Sequence, residues 1–419
     1  MNAALTEAEA EVYVRDHCFI EGRPRRIGVE LEWLLRFAGD ARSPVGRELS
    51  QSVVAPLEEA GPLPGGGRVT REPGGQVEIS SRPADGLAQC VADVTADLVA
   101  VADALAPHGL VIEGDGLDAR RSPGIVVDDH RYRAMAVYYD DNEAAYPLMC
   151  GTASVQVNLD AGEADGVLGH RRRWALAHRL GPVLTAAFAN SPLLRGRPTG
   201  LKSTRQALWW RLDPGRTWPA TADGEDPRET WTRYALDAGL VCLRREDPAE
   251  WNAPRGLTFR GWLRGEHDER PPTMDDLRYH LGTLFPPVRP RGWLELRMID
   301  AQPDGDWVVP LALCSALFDD PRASAEAWEA TEPLTGGDAR SVWEVWQRAT
   351  REGVADRGIG EAARACFAAA AASLDRTGAP GAVRSALREF AARHVERGRC
   401  PADDLLDAAS LPSGGEARS

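Results

Sequence analysis

The segment IGVELEW at residues 27–33 decides how the rest of the chain is read. Ile27, Val29, Leu31 and Trp33 alternate with Gly28, Glu30 and Glu32, the period of a strand with one apolar and one polar face. Side chains two residues apart share a face, so Glu30 and Glu32 stand together. The same alternation returns at residues 76–80, where Gln76, Glu78 and Ser80 oppose Val77 and Ile79. At residues 152–159, Thr152, Ser154, Gln156 and Asn158 oppose Ala153, Val155, Val157 and Leu159. In WLELRMI at residues 293–299, Glu295 and Arg297 share one face. None of these faces carries a lysine.

Two carboxylates at this spacing repel each other unless a cation neutralises them. Hard divalent ions prefer oxygen ligands, and magnesium commonly takes a few carboxylates and completes its shell with substrate phosphates. A single glutamate pair is ordinary on the wet face of a strand. Four such strands in one sheet would build a negatively lined surface suited to Mg²⁺ and, through it, to ATP.

The composition permits this. The chain has 419 residues and 43% hydrophobic residues, enough for a sizeable core. With 49 basic and 63 acidic side chains the net charge is −14, which argues against nucleic-acid binding, because phosphate neutralisation needs a basic surface. There is no Walker loop, no dinucleotide-binding glycine fingerprint and no GxSxG elbow. Cys18, Cys90, Cys150, Cys242, Cys314, Cys366 and Cys400 are scattered without a CxxC pair, so reduced thiols are expected. The N-terminus MNAALTEAEAEVYVRDH is acidic and helix-like, and no apolar run is long enough to span a bilayer. The expectation is a soluble cytoplasmic protein without nucleic-acid, membrane or obligatory protein partners.

Outward from the strands, residues 5–18 read as a helix opened by Thr6, with Glu9 completing a capping box. Residues 50–60 read as a short helix ended by GPLPGGG. Pro73-Gly74-Gly75 makes a turn before the strand at 76–80. Between residues 87 and 105, Val91, Val94, Leu98, Val101 and Leu105 fall on one helix face. A strand begins at Leu110, and the stretch from there to Pro147 reads as long and irregular. A helix is expected over 163–188, and helical pattern dominates after Asp306. No repeat or linker interrupts the chain. One catalytic domain over 1–419 is expected, with a motif-bearing part at 26–320, a helical part at 307–410 and a disordered tail at 411–419.

The blocks GVELE (28–32), REPGGQVEIS (71–80), TASVQVNLD (152–160), HLGTLFPPVR (280–289) and WLELRMID (293–300) occur in that order. They resemble the plant-type glutamate–cysteine ligases, with the strongest likeness to the actinobacterial branch that serves ergothioneine synthesis. The likeness spans roughly residues 26–320, and EPGGQxExS is its most specific block. It implies an α+β fold like the catalytic half of glutamine synthetase: a curved, mostly antiparallel sheet backed by helices. It also implies a reaction. ATP phosphorylates the γ-carboxylate of L-glutamate, and the amine of L-cysteine displaces phosphate to give γ-glutamylcysteine.

By this resemblance Glu30, Glu32, Glu78 and Glu295 are metal-ligand candidates for Mg²⁺ or Mn²⁺, with Glu72 beside them. Arg297 and Glu295 are the catalytic candidates, Arg297 holding the γ-phosphate. Gly74 and Gly75 would bring backbone N–H groups to an anion. Gln76, Thr152, Ser154, Gln156, Asn158, Arg205, Trp209 and Arg216 are the substrate-binding candidates, the arginines gripping a carboxylate. Trp210 is an alternative pocket wall, and a structural role for His280 stands beside a catalytic one. Two other readings stay open: a ligase joining glutamate to another amine, and a non-catalytic relative that keeps a metal and nucleotide site.

Overall fold

The computed structural model describes residues 4–140, 142–220, 225–245, 247, 251–268, 270–336 and 339–410. The expected disordered tail at 411–419 lies outside them. Strand β1, Ile27–Phe37, organises the molecule. Its first half pairs antiparallel with β3, Val77–Ser80, on one side and with β5, Ser154–Asp160, on the other. Its second half pairs with β4, Leu110–Glu113. β2, Arg68–Arg71, extends the sheet beyond β3. A two-residue hairpin of β6, Leu193–Leu194, and β7, Arg197–Pro198, stands apart. β8, Val288–Pro290, and β9, Trp293–Asp300, close the other edge, giving the order β2-β3-β1-β5-β9-β8 with β4 on β1. This antiparallel sheet with its helices is the α+β architecture that the resemblance implies.

The register aligns the apolar residues of successive strands. Val29 faces Val157, which faces Leu296; Ile27 faces Leu159, which faces Leu294. All six are buried, and helices cover them. Helix His170–Ala187 packs on β9 and helix Val308–Asp319 on β5. The second of these, VVPLALCSALFD, lacks a polar stripe because it is covered on all sides. Helices Pro321–Thr335, Ala339–Glu352, Arg357–Arg376 and Gly381–Arg393 form the outer layer. Close approach there depends on a missing side chain: a Cβ at Gly181 would stand 1.9 Å from the ring of Trp346. All seven cysteines are buried and unpaired.

Several elements match the sequence reading. Helix Glu7–His17 carries the capping box, with the Glu9 N–H donating to Thr6 Oγ1 at 3.3 Å and the Thr6 N–H to Glu9 Oε2 at 2.9 Å. Helix Leu87–Leu105 has the expected bounds. Three others differ. The stretch after β4 holds helices His130–Tyr138 and Ala145–Gly151, the first opened by the Asp129 side chain. Thr152 therefore follows a helix, and β5 begins at Ser154. The helix expected from 163 begins at His170, because Gly166 at φ +85° turns the chain and the Glu163 N–H bonds to Leu168 O. No helix among the described residues is long and apolar enough to cross a membrane.

Candidate active site

The polar face of the sheet floors a cavity of about 240 Å³. Strand periodicity delivers Glu30 and Glu32 from β1, Glu78 from β3, Gln156 from β5 and Arg297 from β9 to its wall. Glu72 enters from the turn before β3, and Arg205 and Trp209 from helix Thr204–Leu212. The register sets Glu32 opposite Glu78 and Glu30 opposite Gln156.

Neutral side chains hold the carboxylates in place. Ser154 Oγ donates to Glu32 Oε2 at 2.8 Å and Gln156 Nε2 to Glu32 Oε1 at 2.7 Å. Thr70 Oγ1 donates to Glu78 Oε1 at 2.9 Å, and Ser80 Oγ to the same atom at 3.1 Å. Asn158 Nδ2 reaches Glu30 Oε1 at 3.3 Å, but Asn158 lies outside this cavity. Burial, then the charges of Glu295 and Glu78, pushes the Glu30 carboxyl up to about 7. Burial, then Glu78 and Glu32, pushes Glu72 up to about 8. Glu32 and Glu78 are also raised, chiefly by burial, with Glu32 adding repulsion at Glu78. Four glutamates that resist ionising together form a donor set that a divalent cation would relieve.

Glu295 is set apart from this group. It is fully buried and does not line the cavity. Arg289 Nε donates to its Oε2 at 2.7 Å, Arg289 Nη2 donates to its Oε1 at 2.8 Å, and Arg297 Nη1 also donates to Oε1. Burial alone would raise its pKa, yet Arg289 and Arg297 hold it at about 2. Glu295 is thus held between two arginines, apart from the cavity wall that carries the other four glutamates. Arg297 Nη1 also donates to Gln156 Oε1, which fixes the guanidinium at the cavity wall.

The substrate candidates divide. Arg205 is 2% exposed, and Nη2 donates to Arg297 O at 3.0 Å. Its Nη1 lies 3.6 Å from Asp300 Oδ1, and the residue lines the cavity. Trp209 stands beside Phe285, ring centroids 5.4 Å apart, and both line the cavity; Trp210 instead packs on Trp343 and Trp346. Arg216 does not reach the site. Its guanidinium is spent on Asp213, Thr283 and the Gly239 carbonyl, because helix Pro214–Thr217 turns it inward. His280 is likewise internal, its Nε2 at 2.8 Å from Ala235 O.

The Gly74 and Gly75 amides bond within their own turn. The Gly74 N–H donates to Gln76 Oε1 at 2.9 Å and the Gly75 N–H to Glu72 O at 2.8 Å. Gly74 is required for another reason: a Cβ there would stand 2.0 Å from the Cys150 carbonyl oxygen. Gln76 ties the same turn to Thr152 O at 2.9 Å. Thr152 lines the cavity edge, with its Oγ1 bonded to Leu148 O. Together Gly74, Gln76 and Thr152 fix the turn that presents Glu72.

Three arginines in the wall, Arg131, Arg289 and Arg291, escaped the sequence reading. Arg289 sits opposite Glu295 in the β8–β9 register, but β8 has three residues and ends in proline, too short to show alternation. Arg131 comes from helix His130–Tyr138, inside the stretch read as irregular, and its Nη2 donates to Gly282 O at 2.7 Å.

The model of glutamate–cysteine ligase family 2 matches residues 26–419. The chain is 39% identical over 411 residues to a glutamate–cysteine ligase EgtA of Mycobacterium tuberculosis, covering 96% of this chain and 90% of that relative. It is 38% identical over 410 residues to EgtA of Mycolicibacterium smegmatis, covering 96% and 92%. A chloroplastic glutamate–cysteine ligase of Arabidopsis thaliana is 33% identical over 265 residues, covering 60% and 49%.

Proposed function

The chain belongs to glutamate–cysteine ligase family 2, and from that premise we propose that it joins the γ-carboxylate of L-glutamate to the amine of L-cysteine at the expense of ATP. The observation that carries the reading is one cavity in which Glu30, Glu32, Glu72 and Glu78 face Arg205, Arg289 and Arg297. The products are γ-glutamylcysteine, ADP and phosphate, and the strongest motif likeness places the product in ergothioneine or a related thiol pathway.

Phosphoryl transfer between two anions needs neutralised charge and alignment more than a protein nucleophile. Arg297, pinned between Gln156 and Glu295, directs positive charge at the transferring phosphoryl group without moving during the step. Arg205, in the cavity lining, meets the α-carboxylate of glutamate, and Trp209 with Phe285 walls off water. The cysteine amine then attacks the γ-carbonyl of glutamyl phosphate, and phosphate leaves.

Magnesium fits the donor set. Such an ion takes few protein oxygens and completes its shell on phosphates. Glu30, Glu32 and Glu78, with Glu72, would hold it, and Mn²⁺ would take the same oxygens. Bound, the ion would neutralise phosphate charge and polarise the bond to the leaving oxygen.

The test is purified protein with Mg-ATP and glutamate, followed for phosphate release as cysteine is added. Release that depends on cysteine, with γ-glutamylcysteine in the product, is expected. Turnover with another amine and none with cysteine would overturn the acceptor, and no turnover with any amine would overturn the reading.

A further inference from the structure

The last residue of β9 stands on a face that its sequence period does not assign to it. Strict alternation from Glu295 and Arg297 puts Asp300 with Leu294 and Leu296 on the apolar side. The register breaks that phase. Val157 opposes Leu296 and Val155 opposes Ile299, so β9 covers three residues where β5 covers two. The extra residue is a bulge, and it sets Asp300 opposite Ser154, on the side where Ser154 Oγ holds Glu32. Gly116 closes over the position: a Cβ there would stand 2.7 Å from Asp300 Cβ.

Asp300 is 1% exposed and does not line the cavity. A carboxylate buried this deeply needs partners, and all of those it has converge on one place. Oδ2 accepts from the Asn190 N–H at 2.9 Å and from Ser191 Oγ at 2.7 Å. Oδ1 accepts from Ser203 Oγ at 3.0 Å and lies 3.6 Å from Arg205 Nη1. Ser203 is the N-cap of helix Thr204–Leu212, its Oγ accepting from the Gln206 N–H at 3.2 Å. Ser191 Oγ accepts from the Arg205 N–H at 3.1 Å. One acid therefore holds the backbone of Arg205 through Ser191 and faces its guanidinium directly. Arg205 reaches the cavity wall, with Trp209 one helical turn further on. The Arg297 charge in the same wall opposes the Arg205 cation, and the Asp300 charge supports it.

We propose that Asp300 is a positioning residue for the donor amino acid: acting through Arg205, it fixes where the guanidinium meets the α-carboxylate of glutamate and so sets the affinity for that substrate without touching it. The assignment rests on the ligase reading above.

Steady-state kinetics on the full chain, with glutamate, cysteine and Mg-ATP varied in turn, tests it, alongside urea unfolding of each variant. Asp300→Asn keeps the shape and removes the charge. It is expected to raise the glutamate KM about tenfold, the usual worth of one hydrogen bond to a charged group. The kcat and the KM values for ATP and cysteine stay within about threefold. Ser191→Ala removes the hydroxyl between Asp300 and the Arg205 N–H and is expected to raise the glutamate KM about threefold. In an Arg205→Lys background, adding Asp300→Asn is expected to change the glutamate KM by less than about twofold, because the group it acts through is gone. A merely structural acid would raise the three KM values together or lower kcat, and would do so equally in both backgrounds; that result overturns the assignment, as does a wild-type glutamate KM in Asp300→Asn. Should Asp300→Asn fail to fold, Ser191→Ala decides alone, and a wild-type glutamate KM there overturns the assignment. Wild-type protein that forms no γ-glutamyl product would overturn the ligase reading itself, and this assignment with it.

Discussion

Replacing Glu295 by glutamine separates two roles for one carboxylate. In the structure Glu295 is fully buried and answers Arg289 at 2.7 and 2.8 Å and Arg297 on the same side. Those guanidiniums hold its carboxyl at about 2, against an ordinary value of 4.5. At ~1.4 kcal/mol per pKa unit this corresponds to about 3 kcal/mol, the lower end of what breaking a buried ion pair costs. Glu295→Gln keeps the shape and removes the charge, leaving two arginines buried without their counter-ion. The folded pKa lies below the unfolded one. The contribution is therefore fully present above pH 4.5 and fades as pH falls toward 2. Urea unfolding at pH 7 is expected to show a lower midpoint at unchanged slope, worth about 3 kcal/mol. Turnover falls with it, because Arg297 loses its anchor, while the magnesium concentration for half-maximal activity stays where it was. A variant within about 0.5 kcal/mol of wild type that needs far more magnesium would refute the arginine anchor and return Glu295 to the metal ligands.

Arg297→Lys keeps the charge but cannot reach Gln156 and Glu295 together; kcat is expected to fall about 10²-fold with little change in KM, and a loss below about fivefold would remove Arg297 from the phosphoryl step. Arg216→Lys breaks an internal network and is expected to cost about 3 kcal/mol in urea unfolding. Its glutamate KM should remain that of wild type, and a tenfold rise without destabilisation would put Arg216 back at the substrate. His178 and His280 are buried neutral, and burial first of all holds them down at about 4 and about 3. Unfolded chains bind those protons near pH 6.5, so stability is full above that value and each histidine removes about 2 kcal/mol by pH 5. Urea midpoints at pH 7 and pH 5 check this: His178→Gln should shallow the acid loss, and an unchanged slope would exclude the histidine.

Much of the sheet was legible because one face of its strands carries apolar and the other polar side chains, so the period of two survives in the sequence. That period correctly brought Glu30, Glu32, Glu78, Gln156 and Arg297 onto one wall. It names a face and not the neighbour across it. For that reason it joined Glu295 to the other glutamates, when the register sets Arg289 opposite it. Arg216 misled for a related reason: its partners Thr283 and Gly239 are distant in sequence, and only the packed chain brings them to it. Helix His130–Tyr138, which supplies Arg131, was hidden because HRYRAMAVY mixes charge and aromatic residues around the whole helix.

The burial of every cysteine has a consequence for a protein whose proposed substrate and product are themselves thiols. Burial, ahead of any other influence, pushes Cys18, Cys90, Cys150 and Cys366 up to about 12. At pH 8 about one such group in ten thousand is the reactive anion. Cystine or an oxidised product entering the site meets no protein sulfur ready for exchange. The chain can thus work in a pool of mixed redox state without trapping its own reactants as mixed disulfides.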